Sequence, residues 1–321
     1  MLDRLQGVGA LRRLAATCAG VRTDERCLIV TDSAADPAIT DAMAVVLRSL
    51  RATVVVVESE PVELPGDEPP PAVCAAMLHA DVIFEFTSSF AGASRARRDA
   101  CARGARYLTV PGLTATTLRR SGPFDADFAS AGERAKRLAM TIDDADEFHL
   151  TSPLGTDLRG SFEGRAGRPL WGIANEPGGY AAPPDIEVGA APVEGTANGR
   201  VVVDGSLLFL GPAQLASPVE LQFEDGLLSG LDGAEAWRLR DALERSGDER
   251  MRTLAEVSIG LNPLARPGGS PLELEGIVGG AHVALGNNVP YGGSVAARSH
   301  IDCVLLRGQL ELDGCRLDPS A

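Results

Sequence analysis

The stretch Cys27-Leu28-Ile29-Val30-Thr31 decides the fold of the first part of the chain, because it is a short apolar run of the kind that forms a buried strand. An amphipathic pattern follows it over residues 37–50, and a second, β-branched run occupies residues 52–57. Short apolar strands separated by helices are typical of a parallel sheet covered by helices. The stretch therefore predicts an α/β domain with a doubly wound parallel sheet.

The same alternation continues along the chain to about residue 140. We expect the α/β domain to span residues 1–146. Its further predicted elements are a helix over 71–79, a strand over 81–86, a helix over 94–104, a strand over 106–110 and a helix over 125–140.

From residue 147 onward, the sequence becomes rich in turns, with many glycines and prolines. We expect a second domain over residues 147–321, of the α+β class and rich in antiparallel strands. Its predicted elements are a strand over 147–151, hairpins over 200–209 (with an Asp204-Gly205 turn) and 221–228, a helix over 234–245, and strands over 255–261, 281–285 and 299–306.

Length and charge limit the function. A chain of 321 residues suits about two domains. With 30 basic and 44 acidic residues the net charge is −14, which argues against binding to nucleic acid or to an anionic membrane surface. Lys136 is the only lysine, so a lysine Schiff base or a P-loop lysine is nearly excluded.

The expected compartment is the cytoplasm. No apolar run approaches the ~18 residues of a membrane span, and the first residues lack the apolar core of a secretory signal. The six cysteines form no Cys-x-x-Cys pair, which favours reduced, buried thiols.

The motif His300-Ile301-Asp302 is the sharpest candidate for chemistry. On a strand, residues i and i+2 point to the same face, so the imidazole and the carboxylate would project side by side as ligands of one metal ion. The alternative is a histidine that is hydrogen-bonded to a neighbouring acid.

Two further polar residues interrupt apolar strands. His282 lies in the strand over 281–285, and Glu256 lies in the strand over 255–261. Each needs a partner if buried, and for Glu256 the alternative partner is an arginine. With His300 and Asp302 they offer nitrogen and oxygen ligands that suit Zn²⁺, Co²⁺, Mn²⁺ or Fe²⁺.

Taken in order, these motifs resemble the metal-dependent aminopeptidase family typified by aminopeptidase T and aminopeptidase S. That family carries a Gly-Glu-Val strand, a His-Leu-Ala-Leu-Gly strand and a terminal His-x-Asp pair. The matching segments are Ala255-Glu256-Val257, His282-Val283-Ala284-Leu285-Gly286 and His300-Ile301-Asp302, and Gly155-Thr156-Asp157-Leu158 is similar to a further motif.

The resemblance implies a fifth ligand and a tyrosine. The family's first metal-binding glutamate corresponds to Glu187 if the match runs on through Glu194-Gly195, whereas the Asn175-Glu176-Pro177 lead-in would place Tyr180 there. We favour Glu187, and the choice decides whether one or two metal ions are expected. The family tyrosine corresponds to Tyr291. The resemblance also implies a homodimer.

The same resemblance extends to 2,5-dihydroxypyridine 5,6-dioxygenase-like members, which use an iron(II) ion held by two histidines and one aspartate. His300 and Asp302 match two of these ligands. The third ligand lies close to a Gly-Leu-Asn stretch, after which this chain has Pro263-Leu264-Ala265-Arg266 and no histidine. His282 could complete the triad from another strand.

Two enzymatic functions follow from these residues. The first is a metallohydrolase that cleaves a peptide or another small amide with metal-activated water. The ligands of its metal would be Glu187, Glu256, His282, His300 and Asp302. Glu256 and Tyr291 would have catalytic roles. The alternative is a mononuclear non-haem iron(II) ring-cleaving dioxygenase. A third hypothesis is a scaffold that has lost its metal and its activity. Either enzyme would act on a small molecule or a short peptide.

Overall fold

The computed structural model describes residues 2–320, with side chains from residue 7 onward. By its internal contacts, the chain divides into two compact units. The first unit contains Met1–Ala129 and Trp171–Pro184, and the second contains Ser130–Leu170 and Asp185–Ala321. The chain thus passes between the two units at three points. The single domain boundary that the sequence predicts, between residues 146 and 147, stays a prediction.

Seven α-helices and eighteen strands are formed by the described residues. The helices are α1 Leu2–Arg13, α2 Pro37–Ser49, α3 Pro71–Met77, α4 Arg95–Ala102, α5 Phe128–Asp143, α6 Ala236–Ser246 and α7 Pro271–Glu275. The strands are β1 Arg26–Asp32, β2 Thr53–Ser59, β3 Val82–Phe86, β4 Arg106–Thr109, β5 Glu147–Thr151, β6 Asp157–Ser161, β7 Arg168–Leu170, β8 Tyr180–Ala181, β9 Glu187–Ala190, β10 Asn198–Val203, β11 Ser206–Leu207, β12 Val219–Glu224, β13 Leu227–Asp232, β14 Leu254–Gly260, β15 Ala281–Gly286, β16 His300–Leu305, β17 Gln309–Leu312 and β18 Cys315–Arg316.

The first unit is built on a five-stranded parallel sheet in the order β2-β1-β3-β4-β8. Strands β3 and β4 are buried throughout, and β1 is buried from its second residue, which explains their uninterrupted apolar runs. Helix α2 begins where Asp36 accepts a hydrogen bond from the Ala38 N–H at 2.9 Å and Pro37 opens the first turn. The predicted parallel sheet with helices is confirmed at this level, and its doubly wound arrangement stays a prediction.

The second unit contains two sheets whose pairings are antiparallel. One has seven strands in the order β13-β12-β10-β6-β5-β17-β18, and the other has six in the order β11-β16-β15-β14-β9-β7. The expectation of a second region rich in antiparallel strands is therefore confirmed. Among the described residues, no helix is both long enough and apolar enough to cross a membrane.

The hairpin predicted over residues 200–209 is wrong. Asp204 and Gly205 connect β10 in the seven-stranded sheet to β11 in the six-stranded sheet. The carboxylate of Asp204 accepts the Leu306 N–H at 2.8 Å, and the Gly205 N–H donates to the Val304 carbonyl at 2.9 Å. These bonds hold the turn against β16, so β10 and β11 cannot pair with each other.

The other predicted hairpin is present, because β12 and β13 pair across Asp225 and Gly226. Both turn residues have positive φ, at 48° and 73°. Two left-handed residues in succession match the twist of a two-residue hairpin.

Candidate metal centre

Four neighbouring strands of the six-stranded sheet direct their polar residues to one face. In the strand pairings, Glu256 lies opposite Ala284, which lies opposite Asp302, and Ser258 lies opposite His282. Glu187 lies opposite Gly260, two residues further along β14. Since directly paired residues share a face, the register alone brings the predicted ligands together.

The side chains meet at short nitrogen–oxygen distances. His282 Nε2 lies 3.2 Å from a Glu187 oxygen and 3.4 Å from Glu256 Oε1. His300 Nε2 lies 3.1 Å from Glu256 Oε2 and 3.1 Å from Asp302 Oδ1. Glu256 therefore stands between the two imidazoles, with one oxygen toward each.

Two more carboxylates join this cluster, and the sequence reasoning missed both. Glu275 ends α7 and lies 3.7 Å from His282 Nε2, and Asp185 is buried just before β9. Neither stands inside a strand, so strand periodicity could not identify them. The available signal was that each is an acid in an otherwise apolar or turn-forming stretch. The donors form two groups, each able to hold one ion: Glu187, Glu275 and His282, and Glu256, His300 and Asp302.

Several polar atoms of the cluster are buried without a hydrogen-bond partner. They include one oxygen of Glu187, both ring nitrogens of His282 and one oxygen each of Asp302 and Asp185. Buried polar atoms normally have a hydrogen-bond partner. A group of potential metal ligands that lack such partners therefore fits a bound cation. The residues present therefore fit the divalent metal that the sequence predicts.

The pKa values of the cluster show the same excess of negative charge. Burial, together with the neighbouring Glu256 and Asp302, raises the pKa of Glu187 to about 8. Burial alone would also raise the pKa of Glu256, but the neighbouring His282 and His300 imidazoles hold it at about 2. Burial opposes the charged form of His282, yet Glu187 and Glu256 raise its pKa to about 9. Five carboxylates around two imidazoles thus leave charge that a metal ion would balance.

Neighbouring groups fix the orientation of the central residues. The hydroxyl of Ser258 donates to Glu256, and His300 Nδ1 contacts the Asn287 carbonyl at 2.8 Å. A carbonyl partner assigns the proton to Nδ1 and directs Nε2 to the carboxylates, which is the usual support of a metal-binding histidine.

The two tyrosines considered from the sequence lie in different places. Tyr291 stacks on the His300 ring, with centroids 5.1 Å apart and planes at 11°. Tyr180 belongs to β8 of the first unit, where Arg97 lies 4.4 Å over its ring. Glu187 and not Tyr180 thus enters the donor cluster, and the roles of these residues remain proposals.

Sequence comparison links the chain to 2,5-dihydroxypyridine 5,6-dioxygenases. The family model NicX, described as 2,5-dihydroxypyridine 5,6-dioxygenase, matches residues 9–317. The 2,5-dihydroxypyridine 5,6-dioxygenase of Pseudomonas putida KT2440 is 25% identical over 180 residues, which are 53% of this chain. The match spans about half of that relative, 51% of its length.

Two solved structures share the fold. The 2,5-dihydroxypyridine dioxygenase of Pseudomonas putida KT2440 matches with a TM-score of 0.78 and 19% identity, over 98% of this chain and 96% of that one. AmpT from Thermus thermophilus matches with a TM-score of 0.70 and 16% identity, over 98% of this chain and 97% of that one. At these identities the likeness shows the fold alone. Since the family model covers nearly the whole sequence, the chain belongs to the 2,5-dihydroxypyridine 5,6-dioxygenase (NicX) family.

Proposed function

We propose that this protein is a metal-dependent dioxygenase that cleaves the ring of a small hydroxylated aromatic compound. The observation that carries the proposal is the family match over residues 9–317, together with a buried cluster that contains two imidazoles and an aspartate. Two histidines and one carboxylate are the ligand types of non-haem iron(II) oxygenases. The comparisons thus favour the function that the sequence placed second.

The proposed iron ligands are His300 and Asp302 of one donor group, with His282 of the other group as the candidate third ligand. Residues 263–266 contain no histidine, so the third ligand expected near Asn262 is absent there, and His282 is the remaining buried imidazole of the cluster. When bound, iron(II) would supply redox chemistry toward O₂, whereas zinc, cobalt or manganese would supply a Lewis acid that lowers the pKa of water.

The protein groups around these ligands would orient the substrate and manage its protons. Glu256 keeps a low pKa between the imidazoles, so it stays ionised and can accept a hydrogen bond from a substrate hydroxyl group. Burial and the nearby carboxylates raise the pKa of Tyr291, which leaves its hydroxyl as a neutral hydrogen-bond donor. The burial of Glu256 and His282 keeps water away from the reacting groups.

A second candidate function is a metallohydrolase that cleaves a peptide or another small amide. The specific observation in its favour is that the donors form two groups, each with one imidazole and two carboxylates. A carboxylate-rich pair of sites suits two hydrolytic cations better than it suits one iron. In this function Glu256 would be the general base.

Metal content and oxygen dependence separate the two functions. Protein purified without chelator or nickel resin would be analysed for its metals, and O₂ uptake would be measured with 2,5-dihydroxypyridine. One iron per chain with O₂ uptake supports the dioxygenase. Two zinc, cobalt or manganese ions per chain with anaerobic amide cleavage supports the hydrolase instead. Protein that binds no metal, when supplied with each ion in turn, would contradict both.

The homodimer implied by the resemblance stays a prediction. Sedimentation of the purified protein would test it, and a monomer at micromolar concentration would contradict it.

A further inference from the structure

The loop over residues 287–294 makes two contacts with His300, and we call it the tyrosine loop. The Asn287 carbonyl accepts from His300 Nδ1 at 2.8 Å, and the Tyr291 ring stacks on the imidazole. The hydrogen bond fixes the direction of Nδ1, and the stacking fixes the plane of the imidazole ring. The direction of His300 Nε2 therefore depends on the conformation of this loop.

Glu194 holds the tyrosine loop from outside the donor cluster. One of its oxygens accepts from Asn288 Nδ2 at 2.9 Å, from the Ser294 N–H at 2.8 Å and from the Ser294 hydroxyl at 3.0 Å. Its other oxygen pairs with Arg165, which also donates to the Gly292 carbonyl. A single carboxylate thus connects the beginning, the middle and the end of the loop.

Asn288 transmits this hold through the loop. It is fully buried, its side-chain oxygen accepts the Val295 N–H at 2.7 Å, and its carbonyl accepts the N–H groups of Tyr291 and Gly293 at 3.0 Å each. A Cβ at Gly293 would overlap with the Asn288 side chain, so the backbone passes as close as a glycine allows.

We propose that Glu194 is a positioning residue, which fixes the tyrosine loop so that Asn287 and Tyr291 orient His300 toward the metal. The role of the metal rests on the proposed function, whereas the orientation of His300 does not.

The carboxylate is charged at working pH. Burial favours its neutral form, but hydrogen bonds from Ser294 and Asn288 outweigh that effect and lower the pKa of Glu194 to about 2. Charge-assisted bonds of this kind are about twice as strong as neutral ones. Partners that orient metal-binding residues typically change metal affinity or activity by 10–100-fold when removed.

The first test uses no metal. The chain has four histidines, so their imidazole signals can be resolved by ¹⁵N–¹H NMR and His300 assigned from a His300→Ala sample. We expect the His300 ring signals, shifted by the stacked Tyr291, to move toward unstacked values in Glu194→Ala and to move less in Glu194→Gln, which keeps one acceptor oxygen. If Glu194→Ala does not fold, Arg165→Gln removes the ion pair with a smaller change.

The matched control is Glu235→Ala. Glu235 also accepts two backbone N–H groups, from Ala216 at 2.6 Å and Ser217 at 3.2 Å, and pairs with Arg238 at 2.6 Å. The Glu235→Ala variant should leave the His300 signals unchanged. Wild-type His300 signals in folded Glu194→Ala or Arg165→Gln protein would overturn the proposal.

The second test uses Co²⁺ alone, followed by its visible absorption spectrum. We expect Glu194→Ala to bind Co²⁺ about tenfold more weakly than wild type and with an altered spectrum, while Glu235→Ala matches wild type. Equal affinity and an identical spectrum in Glu194→Ala would overturn the coupling to the metal. If wild type binds no Co²⁺, the proposed function fails, and the NMR result still decides the positioning role.

Discussion

Glu256 is a buried acid that stays ionised because an imidazole lies at each of its oxygens. Burial of a lone carboxylate is costly, but the close approach of His282 and the hydrogen bond with His300 offset that cost. The same contacts raise the pKa values of both histidines. Protonation in this cluster is therefore a property of the group and not of one residue.

His300 should be required for metal binding. We expect His300→Ala protein, purified without chelator, to lose most of its metal, because this ring contacts both Glu256 and Asp302. Elemental analysis would measure the loss, with His79→Ala, a change at an exposed histidine, as the control. Full metal content in His300→Ala would show that the ion lies elsewhere.

Glu85 should make the stability of the first unit depend on pH. It is fully buried in β3 and accepts hydrogen bonds from the Ala91 N–H at 2.6 Å and from the hydroxyls of Tyr107 at 2.8 Å, Thr109 at 2.8 Å and Thr87 at 3.0 Å. Burial raises its pKa despite these bonds. The folded state thus binds the proton more tightly than the unfolded state, so stability falls as pH rises from the ordinary glutamate value to the raised one.

Replacing Glu85 by glutamine should remove this pH dependence. Glutamine keeps an acceptor for the Ala91 N–H and can donate to the hydroxyls, so we expect Glu85→Gln to be at least as stable as wild type at neutral pH. Glu85→Leu should lose at least about 2 kcal/mol, because it leaves buried donors unsatisfied. Urea unfolding at several pH values would measure both, and a flat wild-type profile would contradict the assignment.

At single positions, the sequence could identify ligands that stand inside strands. Glu256, His282, His300 and Asp302 interrupt apolar runs, so each was visible as a polar residue that needs a partner. Glu275 was not visible, because it ends a helix of five residues and meets His282 only through the tertiary fold.

Strand β9 approaches β14 closely because it carries a glycine. Gly189 lies opposite Ser258, and a Cβ there would overlap with the Ser258 hydroxyl that donates to Glu256. We expect Gly189→Ala to cost about 1–3 kcal/mol by overpacking and to weaken metal binding.

Thermal unfolding and metal titration would measure these effects. Gly9→Ala is the control, since a Cβ at Gly9 on α1 meets no atom within 4 Å. That change should be neutral or slightly stabilising. Normal stability and metal affinity in Gly189→Ala would show that β9 can move away without affecting Glu256.

The elements were more predictable than their pairing. The strands β1, β3, β14, β15 and β16 followed from apolar runs, since burial on both faces leaves that local signal. The strand that pairs with β10 could not be predicted, because an Asp-Gly pair forms a hairpin turn at one site and a connection between two sheets at another.

Over the whole molecule, a bound cation should stabilise the fold. The native state gathers five carboxylates, four of them buried, that only a folded chain brings together, so the metal binds the native state preferentially. Stabilisation is about 2.7 kcal/mol when free metal exceeds its dissociation constant a hundredfold. We therefore expect EDTA to lower the melting temperature by several degrees. A melting temperature that does not change when EDTA is added would support a scaffold that binds no metal.

The order of the two functions could not be predicted from the sequence. The resemblance rests on motifs that aminopeptidases and dioxygenases share, and both solved relatives have the same fold. The family match favours the dioxygenase, while the number of carboxylates favours the hydrolase. Only the ion and the substrate distinguish them.

The position of Glu256 between the two groups of donors has a thermodynamic consequence. Its oxygens face different histidines, at 3.4 and 3.1 Å, so the carboxylate of one site also borders the other. An ion in one site would polarise the carboxylate that lies beside the other, and such coupling would act equally in both directions. A protein that takes up two ions should therefore fill its sites cooperatively or in well-separated steps, and not as two independent equal sites.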